Sequence, residues 1–184
     1  MGQVVLDMTM SLNGCVSGPD DTDAGLHDWY FSPTSGAEAV IAETIRTTGA
    51  LVMGRRTYDM GASQGGFKDN PYQVDHIVLC HQPPSEVAEG NTSFVFVTGG
   101  IEEAVARAQA AAGDRNVVIG GGATIARLSL NARLVDQIKL AVVPVVIRNG
   151  LPLFEGLDVD LKLVAGPVKA DTPDVTHLSY TVAK

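Results

Sequence analysis

Two segments of the chain join a short apolar run to glycine and then to a polar or small-residue helix start. The first is Leu51-Val52-Met53-Gly54-Arg55-Arg56-Thr57, and the second is Val117-Val118-Ile119-Gly120-Gly121-Gly122-Ala123-Thr124. A strand that feeds a helix through glycine presents unpaired backbone N–H groups to an anion. Two such junctions predict a ligand with more than one phosphate, held across the end of a sheet. The first junction adds the guanidinium groups of Arg55 and Arg56 and the Thr57 hydroxyl, which suit phosphate oxygens. At the second, consecutive glycines let backbone come very close to a ligand. Plainer uses fit the same residues: a solvated helix start with Thr57 as a local cap, and a tight turn at Gly120–Gly122.

Two further groups could carry chemistry. Cys80-His81-Gln82 ends an apolar run, and a protonated His81 could meet a phosphate; an ordinary strand-end histidine fits equally. Asp28 precedes Trp29. A carboxyl buried beside an aromatic has a raised pKa and suits acid catalysis. The alternative is a solvent-facing loop aspartate.

These residues need elements to hold them. Nearly continuous apolar residues predict a buried strand over 3–10. Residues 11–35 read as a long loop, of a length that is often functional. A helix is predicted over 36–48, with Ala37, Val40, Ile41, Thr44 and Ile45 on one face. A strand at 50–53 and a short helix at 55–61 follow. Strands are predicted at 76–80, 94–97 and 116–119, and helices at about 100–112 and 123–130. A long strand spans 134–143, and closing strands fall at 161–165 and 175–182. The last alternates, with Val175, His177, Ser179 and Thr181 on one face. This order predicts an α/β fold, a three-layer α/β/α sandwich around a mostly parallel sheet with an antiparallel C-terminal edge.

Taken in order, the segments resemble the dihydrofolate-reductase-like fold, in the branch that holds the reductase domain of the riboflavin-pathway deaminase/reductase. Four stretches carry the resemblance: Met8 to Gly18, Val52 to Thr57, Ile119 to Ala123, and Leu134 through Pro144 to Phe154. It covers nearly the whole chain and implies one reductase domain over 1–184. It implies NADPH as hydride donor. Arg55 then falls at the adenosine phosphate, Thr57 at the pyrophosphate, and Cys80 and His81 at the adenosine side, where the family often has hydroxyl residues. Gly121 and Gly122 fall beside nicotinamide and pyrophosphate, with Gly120, Ala123 and Thr124 around them. Gly14 falls where the first loop closes over nicotinamide, and Asn13 stands where many relatives have aspartate. Dihydrofolate reductases place a carboxylate in an apolar site at the pterin, and Asp28 lies in roughly that stretch. The implied substrate is 5-amino-6-(5-phosphoribosylamino)uracil. The alternatives are reduction of dihydrofolate or another pterin-like heterocycle, and a non-catalytic dinucleotide-binding protein of the same fold.

Bulk properties narrow the partners. The chain has 184 residues and a net charge of −8, which opposes a nucleic-acid partner. No apolar stretch approaches the ~20 residues of a membrane helix, and no secretion signal is visible. Two widely separated cysteines, Cys15 and Cys80, predict reduced thiols in a cytoplasmic protein. The four histidines have no ligand spacing, so no metal is predicted. The apolar edge near Pro144–Phe154 predicts a homodimer, because such an edge needs cover.

Overall fold

A computed structural model describes residues 2–33, 36–168 and 174–183. Its centre is an eight-stranded sheet. In chain order the strands of that sheet are β1 (Val4–Ser11), β3 (Thr48–Gly54), β4 (Asp75–Leu79), β5 (Phe94–Val97), β6 (Asn116–Gly121), β7 (Gln137–Val143), β9 (Leu163–Ala165) and β10 (Thr176–Val182). In space they run β5-β4-β3-β6-β1-β7-β10-β9. The first six in that order pair in parallel, and β10 and β9 close the sheet antiparallel. The predicted fold class is therefore the observed one. Strands buried on both faces explain the near-continuous apolar runs in the sequence.

Helices α4 (Ile101–Ala112) and α5 (Ala123–Asn131) cover one face. They pack on Val4, Leu6, Met8, Val52, Ile77, Ile119 and Ile138, the main core. On the other face α3 (Arg55–Ser63) seats the fully buried Tyr58 against Met53, Phe67 and Val78. Helix α2 (Ala37–Thr47) buries only Ala37. Its Val40, Ile41 and Thr44 instead wall a large cleft.

Two predicted elements differ. The segment 11–35 is not a plain loop. It holds a short strand, β2 (Cys15–Ser17), a 3₁₀ turn at Pro19–Asp21 and a one-turn helix, α1 (Asp28–Phe31). β2 pairs with β8 (Leu151–Pro152), a contact some 135 residues away in the chain that no local pattern announces. The strand predicted from 134 begins at Gln137, because Asp136 is held differently: its carboxylate accepts from the Val4 N–H at 2.9 Å.

Candidate active site

The glycine junctions lie side by side because β3 and β6 are neighbours, with Met53 opposite Gly121. Both lead into helices without side-chain caps: Gly54 precedes α3 and Gly122 precedes α5. Their orphan N–H groups and positive dipole ends face one cleft of ≈ 1670 Å³. Gly122 has φ +84°, which favours glycine, and Gly121 is close-packed: a Cβ there would lie 2.7 Å from the Thr57 methyl carbon. Arg55, Arg56, Thr57, Cys80, His81, Ala123 and Thr124 line the same cleft, with Gly54 and Gly120–Gly122.

The two arginines have protein partners. Arg55 donates to Asp59 at 2.8 Å and to the Gln82 carbonyl at 2.7 Å, which holds its guanidinium at the ends of β3 and β4. Arg56 pairs with Asp21, tying the 3₁₀ turn of the first loop to α3 across the groove.

Two sequence candidates fall elsewhere. Asp28 is exposed on α1 and does not line the cleft, whereas its neighbours Trp29 and Tyr30 do. Gly14 has φ +82° in a turn, its N–H bonded to the Ser11 carbonyl, and it too lies outside the cleft lining. Asn13 has a clear local task. Its amide nitrogen donates to the Ile147 carbonyl at 2.9 Å, and its oxygen accepts from the Ile147 N–H at 3.0 Å. An aspartate there would lose the donor.

Of the carboxyls that line the cleft, Asp7, Asp21, Glu43, Glu102 and Asp158, the one on a central strand is Asp7, on β1. The register Leu6↔Ile119 carries it beside the end of β6, next to the glycine run. Alternation sends it to the side opposite the core residues Leu6 and Met8. Burial pushes its carboxyl up to about 6, with Lys139, its β7 register partner, pulling the other way. Around it lie two phenols, Tyr30 and Tyr72, which hydrogen-bond each other. Burial raises both, and the nearby Asp7 charge adds to this. Further along β1, Thr9 accepts from the Trp29 indole N–H at 3.3 Å, and Trp29 stacks edge-on against His177 at 5.1 Å.

A second polar chain runs behind Tyr72. Asn70 spans the 3.0 Å to the His76 Nε2, and its oxygen accepts from the Tyr72 N–H at 2.9 Å. His76 is buried on β4, and its Nδ1 lies 2.8 Å from the Val74 carbonyl. Burial lowers its pKa, so the neutral ring donates from Nδ1 and accepts at Nε2.

Sequence reading placed Asp7 inside a buried strand and passed over its side chain. The available signal was the one charged residue in a mostly apolar parallel strand, which is costly unless the charge has a use. Among the described residues no helix is long and apolar enough to cross a membrane, and no three His, Cys, Asp or Glu side chains converge as a metal site.

Comparison with known proteins bears on the fold and the family. The Bacillus subtilis (strain 168) protein YwjB is 25% identical over 162 residues, covering 88% of this chain and 87% of its own. A Shewanella sp. PV-4 protein named for riboflavin biosynthesis superposes with a TM-score of 0.80 at 21% identity, covering 99% of each chain. Dihydrofolate reductase from Enterococcus faecalis, complexed with NADP(H), superposes at 0.60 with 18% identity, covering 100% of this chain and 98% of that one. At these identities the two superpositions establish the fold. The family model of the RibD C-terminal domain matches residues 3–177, and the chain therefore belongs to the RibD C-terminal domain family.

Proposed function

We propose that the protein is an NADPH-dependent reductase. One observation carries the reading: a single cleft joins two uncapped, glycine-led helix starts to the half-buried Asp7 carboxyl. The residues fit a phosphorylated dinucleotide. Backbone N–H groups at the starts of α3 and α5 would hold the pyrophosphate, with Thr57 and Thr124 beside them. Arg55, fixed by Asp59 and Gln82, stands ready for a 2′-phosphate. When bound, the dihydronicotinamide supplies hydride. The chain's own contribution is to orient both reactants and to keep water from the reacting atoms.

Family resemblance favours 5-amino-6-(5-phosphoribosylamino)uracil as substrate. A specific observation favours the alternative, an unphosphorylated pterin-like heterocycle. The Lys and Arg residues lining the cleft are Arg55, Arg56 and Lys139. Two of them serve the cofactor half, and Lys139 stands beside Asp7. A substrate phosphate would find one lysine and an opposing carboxyl. We also propose a homodimer working in the cytoplasm.

Titration with NADPH and NADH, followed by nicotinamide fluorescence, tests the reading. Tight NADPH and weak NADH binding is the expected result. Binding of neither would leave a protein that has kept the fold for another purpose.

A further inference from the structure

We propose that Asp7, half-buried at the cleft wall beside Tyr72, is the proton donor of this site, and that the buried His76–Asn70 pair is the device that positions Tyr72. The inference rests on the reductase reading for the source of hydride.

The geometry is specific. Asp7 projects from the middle of the sheet into the cleft beside the end of β6, where the close-approach glycines begin. No described side chain donates a hydrogen bond that holds it as a carboxylate, and only Lys139 favours its charge. The groups that face it are Lys139 from β7, Tyr30 from α1 and Tyr72 from the segment before β4. One register step away stand Thr9 and His177, from β1 and β10. Tyr72 packs on the cluster of Val5, Leu51 and Val118, and Val5 shares the Asp7 face of β1. Its ring thus lies over the face that carries the carboxyl and limits the water around it, and its backbone is fixed by Asn70, itself fixed by His76. A carboxyl that titrates near 6 is about a tenth protonated at neutral pH and can turn over a proton there.

The step balances as follows. The carbon of a substrate C=N bond gains hydride from dihydronicotinamide, and its π pair moves to nitrogen. That nitrogen takes the proton from the Asp7 carboxyl. The products are the amine, oxidised nicotinamide and the Asp7 carboxylate, which regains its proton from solvent through the open cleft.

The test is a ¹³C NMR titration of the Asp7 carboxyl in the full chain, without and with NADPH. The wild-type group is expected to titrate near 6. In Tyr72→Ala and in Asn70→Ala, the carboxyl becomes more fully hydrated and its proton affinity falls about tenfold or more. Tyr72→Phe keeps the ring and stays near wild type. Should Tyr72→Ala and Asn70→Ala fail to fold, Lys139→Met decides, since loss of the ammonium raises the proton affinity further. Bound NADPH is expected to raise it too, by covering the remaining open side. A wild-type titration near ~4, the ordinary aspartate value, overturns the proposal. So does a titration indifferent to Tyr72→Ala and Lys139→Met alike. NADPH that binds, by fluorescence, yet leaves Asp7 unmoved sinks the proton donor alone. Absence of NADPH binding sinks the reductase reading and removes the hydride partner with it.

Discussion

Thr57 and Gly121, 64 residues apart in sequence, touch: any Cβ on Gly121 would meet the Thr57 methyl carbon at 2.7 Å and the Met53 Cβ at 3.1 Å. The two glycine-led junctions are thus one site, and the missing side chain is what lets α3 and α5 begin so close together. Gly121→Ala should cost ~1–3 kcal/mol of stability through overpacking, and Gly121→Val more, with loss of NADPH binding. Thermal melts and fluorescence titration measure both. Thr57→Ser removes the methyl group and should recover part of the Gly121→Ala loss in a double-mutant cycle. Strict additivity would show that the contact does not shape the site.

Arg55 should discriminate between the two nicotinamide cofactors. Its links to Asp59 and the Gln82 carbonyl hold it in place before any ligand arrives. Arg55→Ala is expected to weaken NADPH by about 10–100-fold, the range for hydrogen bonds to charged groups. NADH should change by less than about threefold, since it lacks the 2′-phosphate. Equal losses would remove Arg55 from this role.

Asp7 should set a pH dependence of stability. Its folded pKa is raised from 3.8 to about 6, so the folded chain holds this proton more tightly than the unfolded chain. The resulting stability is complete below about pH 4 and is lost as pH rises through 6. The full difference is roughly 3 kcal/mol. Asp7→Asn should therefore raise Tm more at pH 8 than at pH 4. The reverse order would mean that the carboxylate is well solvated or paired.

His76 acts in the opposite sense. Its pKa is lowered from 6.5 by burial, so the unfolded chain takes up a proton first as pH falls. Its contribution is complete above pH 6.5 and is lost below it, through the lowered folded value. A protonated ring would also set an N–H against the Asn70 amide. His76→Gln should flatten the acid side of a plot of Tm against pH. An unchanged acid limb would place the loss in other groups.

Asn13 should resist replacement by aspartate. It both donates to and accepts from Ile147. Asn13→Asp leaves the Ile147 carbonyl without its donor, at a cost of about 1–3 kcal/mol. Equilibrium denaturation measures it, and NADPH binding should change little because Asn13 lies outside the cleft lining.

The sequence by itself determined the strands and helices that carry local signals. Apolar runs marked β1, β3, β4 and β6, and glycine marked the starts of α3, α4 and α5, each within a few residues. Alternation alone placed His177 and Ser179 on one face of β10, and both line the cleft. The two glycine-led junctions of the candidate site were legible for the same reason: a strand end, a glycine and a helix start are neighbours in the chain. Only the tertiary structure decided the cluster around Asp7. Asp7, Lys139, Tyr30 and Tyr72 come from four separate segments, and they meet because β1 lies between β6 and β7 with α1 and the chain before β4 folded over it. Asp28 carried the right residue type in an expected stretch, but the turn of α1 sends its neighbours Trp29 and Tyr30 to the cleft and leaves Asp28 in solvent. Which carboxyl is buried depends on strand order and helix phase together, and neither is written in any short window of sequence.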